Sequence, residues 1–269
     1  MTSRVSLIGF GEAGSTFALA GKWGADARAY DLLEQRKSVM VQAGTSVCAN
    51  AAEALDGART VLSLVTADQA LPAAQAYAPL LAPGAIWCDM NSVAPETKRA
   101  AAEAVEQAGG RYVDVAVLAP VDPARMAVPL LLSGAAAEEA AAALASLGFS
   151  NVRVVGSEVG QASAIKMIRS VMVKGIEALT DEMMAAANAA GVSEQVLASL
   201  DASEKRVSWH DRASYNLERM QVHGLRRAAE MEESARTLRS LGVDPVMTEG
   251  TIRRQRDAAS ADSKTKDAA

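Results

Sequence analysis

Residues 4–18 read RVSLIGFGEAGSTFA, and this stretch decides the fold. An apolar run with strand character ends on Gly9, and a helical pattern begins at Glu12. Gly9, Gly11 and Gly14 stand at the spacing of a dinucleotide fingerprint. In that motif the first glycine makes a tight turn and the second lets a pyrophosphate approach the backbone. The third lets the helix pack on the sheet, and the helix N-terminus supplies N–H donors and positive potential. The candidate cofactor loop is therefore Gly9, Phe10, Gly11, Glu12, Ala13 and Gly14. Asp31 ends the next strand, twenty residues beyond Gly11, where an acid accepts hydrogen bonds from an adenosine ribose. The competing reading has the glycines serving only a turn and Asp31 only capping a helix. Asp31 would repel a 2′-phosphate, so NAD is the expected cofactor; Arg36 nearby keeps NADP possible.

Beyond the loop, ARAYD, TVLSLV, AIWCDM, RYVDVAV, VPLLLSG and NVRVVG read as further strands, with alanine-rich helices between them. Pro95 to Gln107 is one such helix, closed by Gly109-Gly110. The alternation implies an α/β domain with a doubly wound, largely parallel sheet. After Gly160 no strand pattern remains, and residues rich in Ala, Met, Leu, Glu and Arg form an all-α region in which Gly191 and Gly242 mark helix ends. The expected domains are 1–158 for the Rossmann-type unit and 159–256 for the helical unit, with 257–269 as a frayed tail.

The 269 residues are 50% hydrophobic and 22% charged with a net charge of −5, which fits a soluble protein of one or two domains. The acidic balance argues against nucleic acid, and a small molecule is the expected partner. Cys48 and Cys88 have no metal-type spacing and read as reduced, near-core thiols; no metal site is expected. No signal peptide or membrane span is legible, so a cytoplasmic location is expected.

The stretch GQASAIKMIRSVMVKGIEAL, residues 160–179, reads as a helix buried nearly all round with one polar seam of Lys166, Ser170, Lys174 and Glu177. Lys166 has two readings, a snorkelling core lysine or an acid/base group facing a cleft. Lys174 lies ~12 Å further along the axis, and pairing with Glu177 is its expected role.

With these elements in place the chain resembles the β-hydroxyacid dehydrogenase family, relatives of 6-phosphogluconate dehydrogenase, over nearly its whole length. DMNSVAP, residues 89–95, resembles the family's strand ending in an acid, a serine/threonine pair and a proline, with Asn91 and Ser92 in the pair's place. The segment from Asp114 to Gly134 follows the position of the aspartate-led substrate loop, and GQASAIK supplies Gly160 and the lysine. The resemblance implies that Lys166 is catalytic and that Val65, Thr66, Asn91 and Ser92 join the cofactor contacts. It assigns Ser92, Leu118, Ala119, Pro120, Ser170 and His223 to the substrate. Leu118-Ala119-Pro120 replaces the family's Ser-Gly-Gly, losing a hydroxyl and one N–H, so the expected pocket is more apolar and suits a bulkier substrate. The helical region, with KMIRSVMVKGIEAL and HGLRRAAEMEE, resembles a branch whose C-terminal domain has no assigned function. The family's late lysine is missing; His223, Arg226 and Arg227 are either its replacement or a solvated basic face paired with Glu230 and Glu233. The implied activity is NAD(P)-dependent hydride transfer at an alcohol or carbonyl carbon in a homodimer, with substrate and cofactor meeting between the domains. A nucleotide sensor without turnover and an imine reductase on the same scaffold remain the alternatives.

Overall fold

The apolar runs at Val5–Ile8, Thr60–Ser63, Ile86–Asp89 and Leu130–Ser133 form strands buried along their whole length. The computed structural model describes residues 5–203 and 207–266, apart from the side chains of Lys174, Glu177, Trp209, Glu230, Glu233, Ser234, Arg236, Ser240 and residues 260–266. The expected Lys174–Glu177 pair, and Glu230 and Glu233 as partners of the basic face, therefore lie outside the described residues.

The strands are β1 (Val5–Ile8), β2 (Ala27–Tyr30), β3 (Ser46–Val47), β4 (Thr60–Ser63), β5 (Ile86–Asp89), β6 (Arg111–Val117), β7 (Leu130–Ser133) and β8 (Val152–Gly156). They form one sheet in the order β3-β2-β1-β4-β5-β6-β7-β8. The pairs are parallel except β6–β7, which runs antiparallel. Successive side chains alternate between faces: Leu7, Cys88 and Val113 enter one apolar cluster, while Ile8, Trp87 and Tyr112 enter the other. Helices α1 (Glu12–Ala20), α2 (Arg36–Gln42), α3 (Ala51–Leu55), α4 (Ala70–Tyr77), α5 (Pro95–Gln107) and α6 (Ala137–Ser146) connect the strands. This is the α/β doubly wound sheet expected, with the two-residue β3 added.

The remaining helices are α7 (Gln161–Ala190), α8 (Ser193–Ser203), α9 (Trp209–Ser240) and α10 (Val246–Lys266). The chain divides into compact units at Met1–Arg169 and Ser170–Ala269, a division that falls inside α7. The first turn of α7 bonds directly to sheet residues, through Ala162 N to Ser133 Oγ and Ser163 N to Asp114 Oδ2. Within the second unit α9 and α10 pack through Ala228, Ala235, Met231 and Ile252. A Cβ on Gly224 would lie 2.2 Å from the Gln255 carbonyl oxygen, which shows how closely the two helices approach. The Glu182 carboxylate, from α7, accepts hydrogen bonds from Met247 N (2.6 Å), Thr248 N (3.0 Å) and Thr248 Oγ1 (2.6 Å), capping the start of α10.

Helix α10 continues through Lys266, past residue 257 where a frayed tail is expected; residues 267–269 lie outside the description. The helix expected to be buried nearly all round is not covered within one chain: Ile168 is 72% and Val171 76% exposed, and Ile165, Met172 and Ile176 are exposed too. Sequence pattern records which surface is apolar and says nothing of what covers it.

Candidate active site

The cofactor loop is built as its spacing requires. Gly9 has φ +90°, and a Cβ there would lie 2.5 Å from the Leu64 carbonyl oxygen, so no other residue fits the turn. A Cβ on Gly14 would lie 2.9 Å from the Gly9 oxygen, which marks the close approach of α1 to the loop. Beside Gly11 no atom lies within 4 Å of such a Cβ; this is open space at the N-terminus of α1, fit for a pyrophosphate. A cavity of about 760 Å³ opens here, lined by Gly9, Gly11, Glu12, Ala13, Asp31, Val65 and Thr66 among the expected residues.

Asp31 ties the loop to the end of β2. Its Oδ2 accepts from Phe10 N (2.7 Å) and its Oδ1 from Leu33 N (2.9 Å). Each oxygen keeps a lone pair for a ribose hydroxyl. Phe10 itself is fully buried and shapes the turn from below. Tyr30, Leu32, Leu33, Arg36 and Tyr77 also line the cavity and were not assigned from sequence, Arg36 excepted as a possible modifier of cofactor choice. Tyr30 and Tyr77 stand edge to face at 6.2 Å, an apolar wall suited to an aromatic base. The signal missed for Tyr77 is its position on α4, distant in sequence from the loop.

Asn91 and Ser92, adjacent in sequence, face opposite ways. Asn91 is buried, with Nδ2 donating to Asp89 Oδ1 (2.8 Å) and Ser63 Oγ (3.0 Å). Ser92 is exposed, and its Oγ accepts a short hydrogen bond from Lys166 Nζ. Lys166 is half-buried on the second turn of α7, so the lysine and the serine expected to share a site are in contact. The Ser92 hydroxyl can accept from an ammonium or donate to an amine, and so can hold Lys166 in either protonation state.

Leu118 packs with Ala116, Leu131, Val155 and Ala162, while Ala119 and Pro120 are exposed. Its backbone is already engaged: Leu118 N donates to Pro129 O (3.0 Å), and Leu118 O accepts from Arg169 Nη1 (3.3 Å). Ser170 lies one turn beyond Lys166 on α7, and His223 is exposed on α9 in the second unit. Arg226 is exposed and Arg227 is half-buried. Among the described residues no cluster of His, Cys, Asp or Glu could hold a metal, and no helix is long and apolar enough to cross a membrane.

A glycine turn at the first strand of a doubly wound sheet, an acid at the second and a ligand-sized cavity between them define a dinucleotide-binding oxidoreductase fold. Residues 4–156 match the family model described as the NAD binding domain of 6-phosphogluconate dehydrogenase. Residues 187–258 match a domain of unknown function, DUF1932. The chain belongs to the 6-phosphogluconate-dehydrogenase-like family. It is 37% identical to a conserved hypothetical protein from Sinorhizobium meliloti 1021, covering 97% of this chain and 90% of that one, with a TM-score of 0.64. A conserved protein of unknown function, described as structurally similar to 3-hydroxyacid dehydrogenases, is 31% identical over 96% of this chain and 97% of that one, TM-score 0.62. An imine reductase from Myxococcus stipitatus, solved with NADP+, is 19% identical and covers 96% of this chain and 94% of its own, with a TM-score of 0.77; a variant of it was solved with NAD+. That last likeness is one of fold.

Proposed function

We propose that the protein is an NAD(P)-dependent dehydrogenase or reductase acting on an alcohol or carbonyl carbon, with Lys166 as the acid/base group. The observation that carries this reading is the hydrogen bond from Lys166 Nζ to Ser92 Oγ. It brings a half-buried amine from α7 to an exposed hydroxyl that follows β5. When bound, the nicotinamide supplies the hydride acceptor or donor. The protein's own part is proton transfer and placement: Lys166 takes the hydroxyl proton during oxidation or returns it to the carbonyl oxygen during reduction. Ser92, which accepts from Lys166 Nζ, would hold the substrate oxygen or the carboxamide, and Ser170, one turn beyond Lys166 on α7, is the second candidate for that role.

Gly9, Gly11 and the first turn of α1 would hold the pyrophosphate. Asp31 would hold the ribose and disfavour a 2′-phosphate, while Arg36 in the same cavity tempers that preference. The packed Leu118 side chain and the exposed Ala119 and Pro120 favour a substrate with an apolar body over a small acid held by backbone N–H groups. The exposed apolar face of α7 favours a homodimer.

The test is a cofactor-coupled absorbance screen of hydroxyacids, alcohols, aldehydes and cyclic imines with NAD and NADP, run beside Lys166→Met. Turnover of a hydroxy or carbonyl substrate that Lys166→Met abolishes while cofactor binding persists supports the proposal. Turnover of imines alone, or a Lys166→Met variant as fast as the parent, removes it. Tight NADH binding with no turnover leaves a nucleotide sensor.

A further inference from the structure

The site described above leaves unused a set of ionisable groups sealed inside the sheet unit. Ser63, Asp89, Asp114 and Ser133 occupy one register row across β4, β5, β6 and β7. Each of them is 0% exposed. Lys98 of α5, also 0% exposed, enters the row with Nζ 2.9 Å from Asp89 Oδ1, 2.6 Å from the Asp89 carbonyl oxygen and 3.4 Å from Asp114 Oδ1. Tyr112 Oη donates to Asp89 Oδ2 at 2.6 Å.

Both ends of this row lead to the Lys166–Ser92 contact. At one end Asp89 Oδ1 accepts from Asn91 N (2.9 Å) and Asn91 Nδ2 (2.8 Å), which fixes the backbone immediately before Ser92. At the other, Asp114 Oδ2 accepts from Ser163 N (2.9 Å) and Ser133 Oγ (3.3 Å), and Ser133 Oγ accepts from Ala162 N (3.0 Å). Those two N–H groups belong to the first turn of α7, and Lys166 is on the next turn. The path from Ser92 through Asn91, Asp89, Lys98, Asp114 and Ser163 to Lys166 thus returns to Ser92.

A buried ion pair is a weak source of stability, because desolvation of the ions offsets most of their attraction, and apolar replacements are often as stable. What such a cluster supplies is fixed geometry: Asp89, Lys98, Ser133 and the Asp114 Oδ2 atom are hydrogen-bonded, while Asp114 Oδ1 has no hydrogen bond and faces Lys98 Nζ at 3.4 Å. The N-terminus of α7 carries a partial positive charge, about half an elementary charge, and its N–H groups at Ala162 and Ser163 meet the Ser133 hydroxyl and the Asp114 carboxyl of the cluster.

We propose that the buried Asp89–Lys98–Asp114 cluster with Ser133 is a positioning device that sets Lys166 against Ser92. The inference rests on the reading of Lys166 as the proton-transfer group for its catalytic consequence, but the placement itself can be read without a substrate. The test uses the full-length chain and the variants Ser133→Ala, Asp114→Asn and Lys98→Met. Ser133→Ala removes only the acceptor for Ala162 N and the donor to Asp114, so it decides the matter if the two charge variants fail to fold.

Trace labelling with acetic anhydride, quantified by mass spectrometry, reports the reactivity of Lys166, with Lys37 as the internal control. Hydrogen exchange reports the first turn of α7. In Ser133→Ala the proposal expects a several-fold change in Lys166 labelling with Lys37 unchanged, faster exchange at residues 162–163, and NADH affinity within error of the parent. With whichever substrate the screen identifies, kcat falls about tenfold at constant KM, short of the ~100-fold that a misplacement of 1 Å can produce. A folded Ser133→Ala variant with parental Lys166 labelling and parental kcat overturns the proposal, and a lower melting temperature alone does not rescue it. Changed labelling in a protein whose Lys166→Met variant retains full turnover sinks the catalytic reading while the positioning stands.

Discussion

Lys166 and Gly9 separate proton transfer from cofactor binding. General acid–base groups contribute roughly 10²–10⁴-fold to rate, so in the role proposed for Lys166 the change Lys166→Met should lower kcat/KM by at least about 100-fold while NADH fluorescence titration gives an unchanged Kd. Gly9→Ala should do the reverse and abolish cofactor binding, because its Cβ meets the Leu64 carbonyl oxygen at 2.5 Å with φ at +90°. Both thiols, Cys48 and Cys88, are free and buried. Burial pushes Cys88 up to about 12, with the neighbouring Asp89 charge adding to it, and burial also raises Cys48. Native protein at pH 8 should therefore react negligibly with a thiol reagent, and guanidinium should release two titratable thiols. The turn at Gly9 was legible in the sequence because its positive φ and close contact require glycine, and Lys166 and Ser92, both read from motif positions, are in contact. Asn91 and Ser92 were both read as facing the ligand, and the structure turns Asn91 inward to Asp89 and Ser63. Spacing cannot distinguish two neighbours whose side chains leave the backbone in opposite directions.

At the scale of elements, periodicity located the strands and the α5 boundaries, since alternation and the Pro95 start leave few options. The two-residue β3 was missed: Ser46 and Val47 are too short a run to carry a pattern. Nor did the sequence show the link between α7 and α10, because Glu182 reads as one more acid on a helix face. Desolvation raises the Glu182 pKa, but the Thr248 hydroxyl and the Met247 and Thr248 N–H groups outweigh it and hold the carboxyl below 4.5. Since folding lowers this pKa, the bonds stabilise fully above the unfolded value. They are lost as pH falls from about 4.5 through the lower folded value. Glu182→Ala should remove about 1–2 kcal/mol at pH 7, the usual worth of a helix cap, and the difference from parent in urea melts should shrink toward zero in that acidic window. A difference that persists unchanged at low pH would mean that packing of the side chain, and not its charge, supports α10.

For the whole molecule the open surface is that of α7. Ile168 and Val171 are 72% and 76% exposed, with Ile165, Met172 and Ile176 along the same helix. Leu217, Val222 and Leu225 of α9 are exposed as well. Scattered exposed apolar residues are ordinary on a folded protein, whereas a run of them along one helix marks a surface that associates. The sequence reading expected this helix to be buried, and its composition is that of a covered helix. A single chain leaves it bare, so the simplest cover is a second copy presenting the same face in a two-fold arrangement. Sedimentation equilibrium should then give twice the chain mass of 27.9 kDa. Paired substitutions Ile168→Glu and Val171→Lys should return the mass of one chain and leave the cofactor loop, which lies elsewhere in sequence, able to bind NADH. If the parent sediments as a single chain, the α7 face needs a different partner and the homodimer is wrong. If the variant is monomeric, binds NADH as before and has lost turnover, then α7 needs its partner copy for function as well as for cover.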